Sequence, residues 1–225
     1  MKKNIFTLLA LVTIFSSTIF AESYNLSSSL LYVYVDADSS IEANTNIDAD
    51  LDDAPGLSIE WSSVPIDGIS FGLEYMYFGT EADVSGIINN DDASLLNSLT
   101  GGTFQAGNSK IKEEYKAHTA MVNIAYNKAL SDQSIAYIGA GVGFCHFNQE
   151  LSISNPGVKD SIDDSDITYA YQLKAGVRYA LNDAWAVNGG LRYIGFGDPE
   201  FSYGDVDLSG DVSALAIELG LSYTF

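Results

Sequence analysis

The clearest hydropathy pattern lies at the end of the chain. Over residues 215–225, Leu215, Ile217, Leu219, Leu221, Tyr223 and Phe225 alternate with Ala216, Glu218, Gly220, Ser222 and Thr224. A period of two marks a strand whose two faces meet different surroundings. The pattern recurs upstream. Leu57, Ile59 and Trp61 alternate with Ser58, Glu60 and Ser62, and Ile69, Phe71, Leu73, Tyr75 and Tyr77 alternate with Ser70, Gly72, Glu74 and Met76. Further strands are predicted over residues 24–35, 115–126, 135–147, 168–179 and 185–194. The register of the first is ambiguous, because residues 30–35 are all apolar or aromatic.

The connections alternate between short and long. Residues 64–68, 127–133 and 181–183 read as tight turns, the first carrying Pro65 and Gly68. Residues 37–55, 79–110, 148–166 and 195–211 read as long loops. In the longest, residues 90–99 suit a short helix capped by Asp91 or Asp92, with Leu95, Leu96 and Leu99 apolar. About eight strands with short turns at one end and long loops at the other predict an all-β fold. It is an eight-stranded antiparallel transmembrane up-and-down β-barrel, with short periplasmic turns and long extracellular loops.

Residues 1–21 read as a secretory signal peptide: Lys2 and Lys3, an apolar centre over residues 5–14, then small residues up to Ala21. Residues 22–225 form the barrel domain. Trp61, Tyr126, Tyr179, Trp185, Tyr223 and Phe225 fall near the short-turn end of the outward faces. Tyr75, Tyr77, Phe144 and Tyr169 fall near the loop end, as interfacial girdles require. The glycines at 139, 141 and 143 share the inward face.

The formal charge of −20, from 10 Lys+Arg against 30 Asp+Glu, excludes nucleic acid as a partner. The single cysteine, Cys145, allows no internal disulfide and reads as a small lumen filler. Six strand charges take the inward parity: Glu60, Glu74, Lys174, Arg178, Arg192 and Glu218. A lipid-facing charge is costly, and an unpaired buried charge more so. A lumenal network is therefore expected, with Arg192 bridging to Glu218 and Lys174 to Glu74 or Glu218. It serves either as a plug or as a gate.

Other chemistry is sparse. Asp48, Asp50, Asp52 and Asp53 start like a calcium loop. However, Asp53 stands where the turn needs Gly, and Ile59 where the bidentate Glu belongs. Asp163, Asp164 and Asp166 match no template and read as a solvated cluster. Pairing through the 127–133 turn puts His118 opposite a residue near Val142 and His146 nearer Glu113 or Glu114. No Ser is fixed beside either histidine, so they read as interfacial anchors. No catalytic residue, cofactor or dedicated metal site is expected.

Three segments carry a family resemblance: Tyr137-Ile138-Gly139-Ala140-Gly141-Val142-Gly143, Lys174-Ala175-Gly176-Val177-Arg178-Tyr179 and Leu219-Gly220-Leu221-Ser222-Tyr223-Thr224-Phe225. They resemble the opacity-type surface proteins and the N-terminal barrel of outer membrane protein A. The resemblance implies the outer membrane of a Gram-negative-type bacterium and contact with outer-membrane lipid and lipopolysaccharide. It also implies that Leu221, Tyr223 and Phe225 form a signal read by the barrel assembly machinery. Outer membrane protein A continues into a peptidoglycan-binding domain where this sequence ends, so cell-wall tethering is not carried over. The expected role is structural and surface-exposed, with acidic loops meeting an extracellular protein or host ligand. The alternatives are a narrow porin-like channel gated by the lumenal salt bridges and, more remotely, a lipid-modifying enzyme.

Overall fold

A computed structural model describes residues 23–40, 53–88, 94, 97, 107–155, 158–197, 200–203 and 206–225. The signal-peptide segment, most of the first acidic loop and most of the 90–99 helix lie outside the described residues; Ser94 and Asn97 of that helix are helical. In chain order the strands are β1 (Tyr24–Ser40), β2 (Ala54–Ser63), β3 (Ile69–Ile88), β4 (Gly107–Ala129), β5 (Ser134–Asn155), β6 (Val158–Ala180), β7 (Trp185–Phe196), β8 (Glu200–Tyr203) and β9 (Val206–Thr224). Each pairs antiparallel with its sequence neighbour through β7, and β7 and β8 both pair with β9. These two pieces act as one interrupted barrel strand, so the barrel has eight. It closes through β1 and β9, from Asn25 opposite Thr224 to Ser40 opposite Ser209. At the seam end, Tyr24 and Phe225 exchange both backbone hydrogen bonds at 2.9 Å. Closure leaves no free edge within the bilayer, which a spanning sheet requires.

The turn before β3 follows from its sequence. Asp67 and Gly68 have φ of 52° and 82°, and Ile66 pairs with Ile69 across them. Two left-handed residues in an Asp-Gly pair are the hairpin turn whose twist suits antiparallel strands.

The strands run further than the hydropathy pattern predicts. β4, β5 and β6 are 23, 22 and 23 residues long, against about 9–11 needed to cross a bilayer. Both ends of residues 79–110 and most of residues 148–166, expected as loops, are hairpin ladder: Ile88 pairs with Gly107, and Asn155 with Val158. β9 likewise takes up residues 206–211 of the last expected loop. There the sequence alternation disappears while the backbone ladder continues.

The ambiguous register of β1 resolves with Leu31 and Val33 buried and Leu30, Tyr32 and Tyr34 exposed. Both faces are apolar there because the lumen itself is tiered. Its loop-side third is apolar, built from Leu31, Val33, Met76, Phe78, Met121, Phe147, Ile194 and Phe196, with Cys145 fully buried among them. Its middle is charged. Its third nearest the short turns is lined by Ser27, Ser29, Ser62, Ser70, Asn127, Asn188 and Ser222.

Candidate functional site: the lumenal charge network

Inward parity places one or two polar side chains from each strand at mid-height, and the structure joins most of them. Arg192 on β7 lies between two carboxylates, with Nη1 2.5 Å from Glu74 Oε1 and Nη2 2.5 Å from Glu218 Oε2. Lys174 on β6 sits 2.8 Å from Glu60 Oε2 and 3.7 Å from Glu74 Oε2. Its carboxylate partners are thus Glu60 and Glu74, and Glu218 is held by Arg192 instead. Arg178 has the inward parity but stands apart. Among the described residues it makes no ion pair, and its Nε is buried without a partner. Its side chain lines the periplasmic vestibule.

Three neutral residues complete the network, and the charge pattern alone did not single them out. Asn123 Nδ2 donates to Glu74 at 2.7 Å and to Glu60 at 3.1 Å. Gln172 Nε2 donates to Glu74 and to Asn123 Oδ1, both at 2.7 Å, while its Oε1 accepts from Arg192 at 2.9 Å. The Tyr137 hydroxyl donates to Glu218 Oε1 at 2.5 Å. Parity was the available signal: Asn123 alternates with outward Val122 and Ile124, Gln172 with Tyr171 and Leu173, and Tyr137 shares the face of Gly139 and Gly141. The result is a continuous chain across the lumen, Glu60–Lys174–Glu74–Arg192–Glu218–Tyr137, which ties together β2, β6, β3, β7, β9 and β5.

Glycines make this density possible. A Cβ on Gly141 would overlap Asn123 Oδ1 and sit 3.1 Å from Gln172, and one on Gly176 or Gly190 would meet the Tyr137 hydroxyl. Glu74, Arg192 and Glu218 are each at most 5 % exposed. Desolvating such ions costs several kcal/mol each, and only mutual pairing with further hydrogen bonds offsets that. Below the network the vestibule holds a cavity of only about 30 Å³. It is crossed by hydrogen bonds among Ser27, Ser222, Asn188 and Ser29. Above it lies the apolar tier. The site can hold charges rigidly.

The outer wall carries the remaining candidate residues. Leu221, Tyr223 and Phe225 are exposed on the outward face, with the Tyr223 ring 4.9 Å from Trp185 and 6.2 Å from Phe225. His118 and His146 are direct ladder partners, which corrects the expectation that they lie apart. The ladder runs through Ala129 opposite Ile135, and the turn closes from Leu130 to Ser134. Its centre therefore lies two residues later than the 127–133 reading placed it. Above the girdle, Glu81, Glu114, Glu150 and Asp163 stand in register across β3 to β6. Lys112 bridges to Glu81 at 2.8 Å and Lys116 to Glu114 at 2.7 Å. The Lys116 hydrogen bond holds the Glu114 carboxyl below its usual range. Asp53, from the rejected calcium pattern, accepts a hydrogen bond from Tyr32 at 3.0 Å.

Known proteins share this barrel fold. Outer membrane protein AlkL of Ectopseudomonas oleovorans is 30% identical over 109 residues, which cover 47% of this chain and 45% of that protein. The chain thus spans under half the length of that relative. Among solved structures, the Escherichia coli outer membrane protease OmpT superposes with a TM-score of 0.52 at 9% identity, covering 92% of this chain and 98% of the other. A major outer membrane protein of Thermus thermophilus gives 0.51 at 11% identity, covering 90% and 99%. At these identities the likeness is one of fold. The family model described as outer membrane protein beta-barrel domain matches residues 7–225. The chain belongs to the outer membrane protein β-barrel domain family and resides in the outer membrane of a Gram-negative bacterium.

Proposed function

We propose that this protein is a closed, non-conducting barrel whose work is done at the cell surface. It serves as a structural and interaction protein that presents rigid strand hairpins beyond the membrane. The observation that carries this reading is the packing of side chains into the lumen at two levels, the charge network and the apolar tier above it. The strand extensions support the surface role. From His118 to Gly107, β4 rises about 35 Å at the usual spacing per residue, carrying the acidic row with it. Such a face repels polyanions and favours cationic surfaces. An extracellular protein or host ligand is the proposed partner class, with lipopolysaccharide around the wall and the barrel assembly machinery acting on Leu221, Tyr223 and Phe225 during biogenesis. The protein is proposed to be non-enzymatic, since the charged groups of the network are engaged in holding one another.

The purified protein in planar bilayers tests the closed state. Electrical silence is expected, and steady single-channel conductance of the unmodified protein overturns the reading. Replacing Glu150 and Asp163 with lysine tests the surface role: adhesion to cationic surfaces should fall while folding is unchanged.

A second reading is a salt-bridge gate, favoured by the position of Arg192 between two carboxylates. It requires conductance that rises in Arg192→Ala. Silence of both proteins overturns it.

A further inference from the structure

His118 and His146 are the only histidines in the chain, and the fold sets them directly opposite on β4 and β5. Both face outward at the loop-side girdle and are half-buried, His118 lying beside Tyr75 and Tyr77. Their ring centroids lie 6.4 Å apart with planes inclined at 36°. We propose that this pair forms a cross-strand chelate for a divalent transition-metal ion such as Zn²⁺, Ni²⁺ or Cu²⁺.

The distances suit it. Metal–nitrogen bonds of about 2.0–2.1 Å put two ligating imidazole centroids about 5 Å apart at a tetrahedral angle and about 6.4 Å apart at a linear one. A small side-chain rotation closes the remaining gap on a ladder that fixes the two backbones. Imidazole is also the ligand type these metals favour.

The surroundings of His118 add a second argument. The Tyr75 hydroxyl lies 2.7 Å from His118 Nδ1. When Nδ1–H donates to that oxygen, the Nε2 lone pair is left to bind. Metal-ligating histidines generally donate their other ring N–H to an outer acceptor, and the Tyr75 oxygen is placed to serve as one here. The Tyr77 ring, 4.9 Å from the imidazole, limits its rotation. Lys116, two residues along the same face, is neutralised by Glu114 at 2.7 Å, which lowers its repulsion of a cation. The two histidines supply two ligands. No cluster of three or more His, Cys, Asp or Glu able to hold a metal occurs among the described residues, so water or a lipid headgroup oxygen fills the other positions. The site lies on the outer wall and is independent of whether the lumen conducts.

The test is calorimetric titration of the full folded chain, in detergent micelles, with zinc chloride. One ion per chain is expected. His118→Asn and His146→Asn should each weaken binding at least tenfold. Tyr75→Phe should weaken it about 10–100-fold, as loss of an outer-shell partner does. A measurement on the unmodified protein removes dependence on the variants: zinc should protect both histidines from diethylpyrocarbonate, read by mass spectrometry. Absent binding, histidine variants that bind as well as the parent, binding lost instead in Glu150→Gln or Asp163→Asn, or unprotected histidines would each overturn the chelate.

Discussion

The Tyr137 hydroxyl donates to Glu218 at 2.5 Å although two strands separate β5 from β9. The ring reaches across because Gly176 and Gly190, on the intervening strands, present no side chain beneath it. Removing the hydroxyl should therefore matter more than removing a surface one. Tyr137→Phe leaves the Glu218 carboxylate held by Arg192. A hydrogen bond to a charged group contributes about 1.5–3 kcal/mol. Urea unfolding in liposomes should show a loss of that size. A change within error would mean that the contact adds nothing.

Arg192→Ala should cost about 3–5 kcal/mol, the usual penalty for stranding a buried charge, since it leaves both Glu74 and Glu218 without their guanidinium. Adding Glu218→Gln to the Arg192 variant should recover part of that loss. A double-mutant cycle measures it, and strict additivity would show that the two side chains are uncoupled.

Gly141→Ala should destabilise by about 1–3 kcal/mol through overpacking, because its new methyl would collide with Asn123 and crowd Gln172. Gly189→Ala on the opposite face is the control: its Cβ would meet only a backbone oxygen at 3.7 Å. Thermal shifts of heat-modifiable gel mobility compare the two directly. Equal shifts would remove the steric account.

Above the membrane, Glu114 should titrate below the ordinary glutamate value of about 4.3, because Lys116 hydrogen-bonds to its charged form. A depressed folded-state value means that the interaction favours folding at neutral pH and is lost as pH falls through that value. Carboxyl-carbon NMR should show the low midpoint, and Lys116→Gln should raise it. An unchanged midpoint in that variant would point to another cause.

Deleting Phe225 should impair outer-membrane insertion more than Phe225→Ala does. The deletion removes both the aromatic and the paired backbone bonds to Tyr24 that close the barrel seam. Quantifying folded protein in outer-membrane fractions of both strains separates these contributions. Normal insertion of the deletion would refute the assembly-signal role.

The sequence revealed the barrel where each strand had one lipid face and one polar face, as over Leu215 to Phe225. It failed where that contrast vanishes. At Leu31 and Val33 both faces are apolar, because the upper lumen is an apolar core. Beyond Thr80 or Lys116 the apolar–polar alternation fades from the sequence, so continuing strands looked like loops. The inward charges were legible from parity alone, since a lipid-facing charge is costly. Their partners were less so. Which carboxylate Lys174 chooses depends on barrel tilt, and tilt is not written in any single strand. The histidine pairing failed for a similar reason. A turn centre misplaced by two residues shifts partners by four, which preserves every side chain's face and so raises no alarm in the hydropathy pattern.

The tiering of the lumen also decides where an electric field acts. In the closed barrel proposed above, water enters the serine- and asparagine-lined third and stops at Arg192, and the apolar third beyond it is dry. A potential imposed across the outer membrane falls mainly over the dry segment. The salt bridges then sit at nearly the periplasmic potential, and the barrel behaves as an insulator with its ionic layer on the inner electrode. Voltage alone then exerts little force on Arg192.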